Sequence, residues 1–188
     1  MKALILLDKI IHKSYIGNPI FSNIILNSHI EQALIFKKKN DFDVVIGFCY
    51  QDLKNFLKNI NSDDFILIVY CGHGSYKKWN IGISYNQLLE LFLQYKNKLL
   101  IVSDCCFSDS MNISSNRKNT YFISSARDYG SDEDTSAFFT DQGGFMSTIF
   151  YNIFHKNDTI NSIYKKLLSF YYYETGNENY LPRLFFYK

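Results

Sequence analysis

The sequence lacks the features that would assign it to several common classes of protein. It has no C-x-x-C pair, no apolar run near the roughly 20 residues of a membrane span, and no G-x-G-x-x-G or phosphate-binding loop after its first apolar run. Its 20 basic and 18 acidic residues form no long block of one charge. We therefore expect no membrane partner, no nucleic-acid partner and no cofactor, and the missing phosphate loops argue against a nucleotide-binding α/β domain.

The start of the chain and its cysteines favour an intracellular location. The apolar run that begins at Met1 is too short for a signal peptide and is broken at once by Asp8 and Lys9. Cys105 and Cys106 are adjacent and therefore poorly placed to share a relaxed disulfide. The four thiols thus suit the reducing cytoplasm.

Strand and helix signals alternate along the 188 residues, of which 47% are hydrophobic, enough for one domain with a sizeable core. The alternation predicts an α/β fold in which a mainly parallel, six-stranded sheet carries helices on both faces. The polar stretch 111–119 is predicted to be a mobile linker. The predicted strands are 2–7, 43–48, 65–71, 98–103, 120–124 and 184–187, and the predicted helices begin near Asn27 or Ser28 and near Gln51, Ser84, Phe145 and Ile160.

Two of the predicted strands end in residues that can carry chemistry. The predicted strand 65–71 is followed by Gly72-His73-Gly74, and the predicted strand 98–103 is followed by Asp104-Cys105-Cys106. Because parallel strands end at the same edge of a sheet, a histidine and a cysteine face each other there. A thiol protease needs this pair, since the attacking species is the thiolate and the imidazole both generates it and later protonates the leaving amine.

The glycines on either side of His73 strengthen this pattern. Gly72 and Gly74 let the backbone turn sharply, and they leave the Gly74 N–H unshielded, so that it can point at a developing oxyanion. The N–H of Cys106 would be the second donor. Losing one such donor costs on the order of 3 kcal/mol in the transition state, so we interpret these glycines as functional.

Together these motifs resemble a known family. The order of a strand, Tyr70-x-Gly-His-Gly74, a helix, a strand and Asp104-x-Cys-x-Ser108 is similar to the caspase and metacaspase group of cysteine peptidases, and is closer to metacaspases. The segments from Phe122 to Asp128 and from Gly143 to Phe150 fall where this family has its fifth strand and the following helix. The resemblance implies a caspase-like three-layer sandwich that cleaves peptide or protein substrates.

The resemblance also assigns roles to individual residues. His73 is the general acid and base, Cys106 is the nucleophile, and Gly74 and Cys106 are the oxyanion donors. The family places its nucleophile third in the Asp-x-Cys motif, which selects Cys106 over Cys105, and alternation along the strand lets only one of the two side chains meet His73. Within the single domain 1–188, residues 1–110 would match the family's large subunit, 111–119 its linker and 120–188 its small subunit.

Asp104 carries the prediction of substrate preference. Metacaspases have an aspartate two residues before the nucleophile, whereas caspases have a glutamine. A carboxylate at the bottom of a pocket repels an acidic side chain and accepts a guanidinium through two hydrogen bonds, so we expect cleavage after Arg or Lys, with Asp128 in the same pocket. Arg127 favours the alternative of an acidic P1 residue. The structural alternative for Asp104 is a strand-end residue that bonds nearby N–H groups.

Self-cleavage and loss of activity are both open at this point. Arg117 and Lys118 in the predicted linker would suit self-cleavage by an enzyme with basic P1 preference. The segment Phe107 to Asp109 stands where the family has His-Ser-Gly, and Asn27 and Ser28 stand where metacaspases have a second pocket aspartate. These departures favour the rival function, a caspase-like binding or regulatory module without activity, whereas the intact His73 and Cys106 pair opposes it. Nothing in the sequence indicates an oligomeric state.

No metal site is expected. Calcium-dependent members of the family carry acidic ligands between the two motifs, but here Glu90 is the only acidic residue between Ser75 and Ser103, too few for the six to eight oxygens that calcium requires. We interpret the acidic stretch from Asp128 to Asp141 as a solvated loop, with calcium binding as the alternative. Three histidines in separate segments are interpreted as surface or loop residues rather than zinc ligands: His12, His29 and His155.

Overall fold

The structure is a computed structural model, and it describes residues 1–9, 19–126, 137, 139–140, 143–175 and 181–187. Its strands are β1 (Lys2–Leu7), β2 (Asp43–Gly47), β3 (Ile66–Cys71), β4 (Gly74–Ser75), β5 (Lys78–Trp79), β6 (Ile83–Ser84), β7 (Leu99–Asp104), β8 (Thr120–Ser124), β9 (Phe139–Thr140), β10 (Gly143–Gly144) and β11 (Arg183–Tyr187). Its helices are α1 (Pro19–Lys39), α2 (Tyr50–Leu57), α3 (Tyr85–Leu93), α4 (Phe145–Ile153) and α5 (Ile160–Thr175), and two 3-10 turns, Ser108–Met111 and Ser114–Asn116, follow β7.

A six-stranded sheet in the order β11-β8-β7-β3-β1-β2 forms the centre of the molecule. β11 pairs antiparallel with β8, and the other neighbours in the sheet pair in parallel. β3 and β7 are buried along their whole length, as expected for parallel strands covered on both faces. The predicted α/β fold with a mainly parallel, six-stranded sheet is therefore confirmed, and it is consistent with a caspase-like sandwich.

Helices cover both faces of this sheet. Helices α1, α4 and α5 pack on one face, which we call the α4 face, and helices α2 and α3 pack on the other, the α3 face. Since side chains alternate along a strand, Cys71 and Val102 lie on the α4 face, whereas Tyr70 and Ile101 lie on the α3 face. Helix α3 begins after Ser84, as predicted, and a capping box marks its start: the Ser84 N–H donates to Gln87 Oε1 (2.9 Å) and the Gln87 N–H donates to Ser84 Oγ (3.3 Å).

Helix α1 is longer than predicted. It begins at Pro19 rather than near Asn27 or Ser28, because proline is tolerated in the first turn, where its missing N–H costs no intrahelical hydrogen bond. Among residues 26–39 of α1, whose side chains are described, the buried ones lie at i, i+4 and i+7, and they are His29, Ala33 and Phe36. The prediction that His29 is a surface or loop residue is therefore wrong.

The segment 111–119 is packed rather than a mobile linker. The side chains of Met111, Ile113 and Arg117 are buried, and Arg117 is only 5% exposed. Its guanidinium donates to the carbonyls of Phe92 (3.0 Å), Tyr95 (2.9 Å), Asn97 (2.7 Å) and Lys118 (3.3 Å) and to Thr120 Oγ1 (2.7 Å). The polar composition was misleading because backbone carbonyls, rather than water, solvate this arginine.

Among the described residues, no helix is long and apolar enough to cross a membrane.

Candidate active site

The ends of β3 and β7 lie side by side at one edge of the sheet. Cys71 pairs with Asp104 at the last position of the parallel register. The next residue continues the contact, because the Gly72 N–H donates to the Asp104 carbonyl at 3.1 Å. The histidine motif and the cysteine motif therefore leave the sheet from neighbouring positions, as predicted from the two strand ends.

Gly74 brings the two motifs into direct contact. A Cβ atom added at this position would lie 2.3 Å from the Cys106 carbonyl oxygen and 2.7 Å from Cys105 Sγ, both shorter than any real Cβ contact. Only glycine allows the loop that carries His73 to approach the cysteine pair this closely. The structure therefore places His73 between one residue that bonds Asp104 and another that touches Cys106.

Hydrogen bonds hold both sides of the His73 backbone. Its N–H donates to Asp8 Oδ2 (3.3 Å), and its carbonyl accepts from Tyr70 Oη (2.5 Å) and from the Asn80 N–H (3.1 Å). The sequence reasoning missed Asp8, a buried carboxylate at the end of β1. Its position was the available signal, because β1 is a parallel neighbour of β3 and ends at the same edge of the sheet.

The backbone of Gly74 presents its N–H away from its pairing partner. Gly74 pairs with Trp79 in the antiparallel ribbon of β4 and β5, and the bond from Asn80 N–H to the His73 carbonyl marks the adjacent pair as a hydrogen-bonded one. Hydrogen-bonded and non-hydrogen-bonded pairs alternate in such a ribbon, so Gly74 occupies a non-hydrogen-bonded position. This geometry supports the predicted use of its N–H as an oxyanion donor.

Stacking and hydrogen bonds link the ribbon to β7 on the α3 face. The rings of Tyr70 and Trp79 stack with centroids 4.5 Å apart. Trp79 Nε1 donates to Ser103 Oγ at 3.0 Å, and this hydroxyl lies 3.5 Å from Cys105 Sγ. The ribbon behind His73 is thus fixed to the strand that leads to Cys106.

The two adjacent cysteines have different environments. Cys105 is 0% exposed in the core of the α3 face, and burial raises the pKa of its thiol well above the ordinary value. Cys106 is partly exposed.

Phe107, which follows Cys106, has φ 54°, in the left-handed region that a bulky residue adopts only under strain. Backbone strain of this kind is concentrated at functional sites, where the surrounding structure enforces it.

The residues that depart from the family pattern after Cys106 have their own anchors. Ser108 Oγ donates to the Ala126 carbonyl (2.9 Å) and accepts from the Ala126 N–H (2.8 Å). The Asp109 carboxylate accepts from Arg183 Nη1 at 2.9 Å and from the Ser124 hydroxyl. The loop after Cys106 is therefore tied to the end of β8 and to β11.

Asp104 points to the opposite face of the sheet from Cys105, and it is 0% exposed. Its Oδ2 accepts from the Ser147 N–H at 2.8 Å, which caps the start of α4 from outside that helix. Burial raises the pKa of this carboxyl to about 6, and the Ser147 N–H opposes the rise. The Ser125 hydroxyl also interacts with this carboxylate and opposes the rise in its pKa. Within the described parts of the chain, Oδ1 makes no hydrogen bond of normal geometry, and neither does the buried hydroxyl of Tyr151.

The remaining predicted site residues either lie outside the described residues or lie at the other edge of the sheet. Asp128 and Arg127 lie outside the residues that the structure describes. Arg117 and Lys118 precede β8, whose first residue pairs with the first residue of β7, so they lie at the opposite edge of the sheet from Cys106. In the described ranges, no group of three or more histidine, cysteine, aspartate or glutamate side chains is arranged to hold a metal ion.

Comparisons with known proteins agree with the fold. No protein-family model matches the chain, and no curated protein matches it. A solved structure described as "Structure of Protease" superposes with a TM-score of 0.55 at 14% sequence identity. The match covers 98% of this chain and 47% of the other, so the chain spans about half the length of that protein. At this identity the similarity shows the protease-like fold alone.

Proposed function

We propose that the chain is a cysteine endopeptidase similar to metacaspases. The observation that carries this proposal is the contact of Gly74 with Cys106, since it places a histidine-bearing loop against a partly exposed cysteine at the end of a parallel strand. The hydrogen bonds to both sides of the His73 backbone support it further, because a general base must be held in a fixed place. The protease-like fold of the solved structure is consistent with it.

In the proposed reaction, His73 takes the proton of the Cys106 thiol, and the thiolate attacks the carbonyl carbon of the scissile peptide bond. The N–H groups of Gly74 and Cys106 stabilise the negative charge on the carbonyl oxygen of the tetrahedral intermediate. The imidazolium gives its proton to the leaving amine, which departs as the C–N bond breaks. A water molecule, deprotonated by His73, then attacks the acyl-enzyme and releases the carboxylic acid product and the thiol.

We propose that Asp104 selects Arg or Lys at P1. One carboxylate oxygen is engaged by Ser147, and Oδ1 has no hydrogen bond of normal geometry among the residues with described positions, so it can accept from a guanidinium or ammonium group that reaches this buried site. Asp128 is proposed to contribute to the same pocket. The alternative of an acidic P1 residue rests on Arg127, which is outside the described residues.

The test uses two fluorogenic peptides that differ only in Arg or Asp at P1, each with and without calcium. We expect turnover of the Arg peptide by the wild type and by Cys105→Ala, and none by Cys106→Ala or His73→Ala. Cys105→Ala is the matched control because it changes the adjacent thiol. Turnover of neither peptide, together with no labelling of Cys106 by a thiol-directed electrophile, would overturn the proposal.

The second candidate is a caspase-like binding or regulatory module without activity. The observation in its favour is that Asp104 already has a structural partner in Ser147 and is fully buried. In that case Asp104 would serve as the cap of α4 and nothing else. Failure of the peptidase test with a folded, monodisperse protein would favour this function.

We further propose that self-cleavage in the segment 111–119 follows Lys118 rather than Arg117. The Lys118 side chain is exposed, whereas the guanidinium of Arg117 is held by carbonyls and cannot enter a pocket without local unfolding. Since this segment and Cys106 lie at opposite edges of the sheet, one molecule would cleave another. Incubation of active protein should give a fragment that ends at residue 118, faster at higher concentration and absent with Cys106→Ala. Fragments at neither 117 nor 118 would remove the proposal.

A further inference from the structure

The geometry points to His29 as a positioning residue that holds Gly144 against Asp104 in the proposed P1 pocket. This inference rests on the function proposed above, and it concerns a residue of α1 that belongs to neither sequence motif. His29 is 4% exposed and lies on the buried side of its helix. It therefore faces the interior of the protein, where its Nε2 meets the Gly144 N–H.

The first step is the hydrogen bond between His29 and Gly144. The Gly144 N–H lies 2.7 Å from Nε2 of the imidazole, and both groups are buried. A backbone N–H can only donate, so Nε2 must accept, which places the proton of the neutral ring on Nδ1. Cys71 Sγ lies 3.9 Å from the same nitrogen.

The second step is the contact between Gly144 and the carboxylate. A Cβ atom on Gly144 would lie 2.2 Å from Asp104 Oδ2 and 2.5 Å from Cys71 Sγ, so the backbone at 144 packs directly against the acid. Gly144 also precedes α4, and its carbonyl accepts from Ser147 Oγ at 3.0 Å. Ser147 in turn donates its N–H to Asp104 Oδ2. A shift of Gly144 therefore moves Ser147, whose N–H orients the Asp104 carboxylate.

The third step is that packing alone does not require this histidine. Phe36, seven residues along the same side of α1, packs on the aromatic rings of Phe150, Tyr151 and Phe154. Aromatic contacts of this kind dock α1 on α4 without a buried polar group. The imidazole costs free energy to bury unless its nitrogens are bonded, and the bond that it makes fixes Gly144 beside the acid. We therefore assign to His29 the placement of Gly144 and, through it, of Asp104.

A pocket residue and a chemical residue affect different kinetic constants. Loss of the His29 bond leaves Cys106, His73 and Gly74 in place, so the chemical step should be preserved. The P1 side chain would meet a displaced carboxylate, so binding should weaken. His29→Leu keeps an apolar side chain of similar size but removes the acceptor. His29→Gln keeps an acceptor oxygen near the position of Nε2.

The test compares His29→Leu, His29→Gln and Phe36→Leu with the wild type. We expect His29→Leu to raise KM for the Arg-P1 peptide about tenfold, the effect of one lost buried hydrogen bond. Its kcat and the rate at which iodoacetamide alkylates Cys106 should stay within about twofold of the wild type. His29→Gln should recover most of the KM. Phe36→Leu, the packing control, should lower Tm without raising KM.

Several results would overturn the inference. They are an unchanged KM in His29→Leu, equal KM in the Leu and Gln variants, or a similar rise in KM for Phe36→Leu. Hydrogen exchange of the amides from Gly144 to Ser147 gives a reading that needs no activity, and it should become faster in His29→Leu and not in His29→Gln. If the wild type cleaves neither peptide, the proposed function fails, and unchanged exchange at these amides separately disproves the role of His29.

Discussion

The two faces of the sheet differ most at the edge where β3 and β7 end. On the α3 face, the side chains of Tyr70, Trp79 and Ser103 are joined by ring stacking and hydrogen bonds. On the α4 face, the described structure leaves Asp104 Oδ1 and Tyr151 Oη buried without a hydrogen bond of normal geometry. Because buried polar groups are normally paired, this contrast supports our proposal that contacts on the α3 face fix the loops of His73 and Cys106, while the α4 face receives a polar ligand.

The largest effect is expected from a change at the contact between the motifs. Gly74→Ala places a methyl group against the Cys106 carbonyl. Because this carbonyl belongs to the backbone, the clash is relieved only if the loop that carries Cys106 moves. We expect kcat for the Arg-P1 peptide to fall about 10³-fold, comparable to the loss of an oxyanion donor. Ser75→Ala, one residue along and exposed, is the control and should retain activity. Full activity in Gly74→Ala would show that the close approach is not needed.

The next prediction concerns the charge of Asp104. The ionised carboxylate lowers the stability of the fold, but it is needed for activity on a substrate with a basic P1 residue. The ordinary pKa of 3.8 rises to about 6 in the folded protein because of burial. The protonated form therefore stabilises the fold fully below pH about 3.8, and this contribution is lost as the pH rises through about 6. Asp104→Asn keeps an acceptor for the Ser147 N–H and removes the charge.

Asp104→Asn should accordingly be more stable than the wild type by about 2 to 3 kcal/mol near pH 7.5, a difference that closes near pH 4. Denaturant unfolding at both pH values measures it. In the wild type, kcat/KM for the Arg-P1 peptide should decline as the pH falls below about 6, since the protonated acid no longer attracts a cation. A variant that is less stable than the wild type at neutral pH would indicate that a partner already neutralises Asp104.

The sequence was sufficient to predict the sheet and the two motifs, because hydrophobic runs and strand ends depend on local pattern. It was insufficient for His29 and Arg117, whose surroundings come from distant segments. A histidine at helical spacing from Ala33 and Phe36 could have been placed on a buried stripe, but its bond to Gly144 spans 115 residues. Arg117 was placed in a polar linker because the sequence around it does not indicate its contact with the distant carbonyls of Phe92 and Asn97.

The smallest effect comes from a matched pair of tyrosines, one on each face. Tyr70→Phe removes a hydroxyl that donates to the His73 carbonyl, and it should cost about 1 kcal/mol of stability and lower kcat. Tyr151→Phe removes a buried hydroxyl for which the described residues offer no hydrogen bond, so it should be neutral or slightly stabilising. Thermal unfolding of the two variants compares the faces directly. Equal destabilisation by both would break the distinction between them.

The most direct measurement is the rate at which two reagents modify Cys106 in the wild type and in Asp104→Asn. An arginine chloromethyl ketone requires both the thiolate and the pocket, whereas iodoacetamide requires the thiolate alone. We expect mass spectrometry to place both adducts on Cys106, with the first reagent slowed about 100-fold in Asp104→Asn, the value of a lost charge-assisted pair, and the second unchanged. Equal rates of the chloromethyl ketone in both proteins, or its adduct on Cys105, would contradict the assignment of Cys106 as the nucleophile and of Asp104 to the P1 pocket.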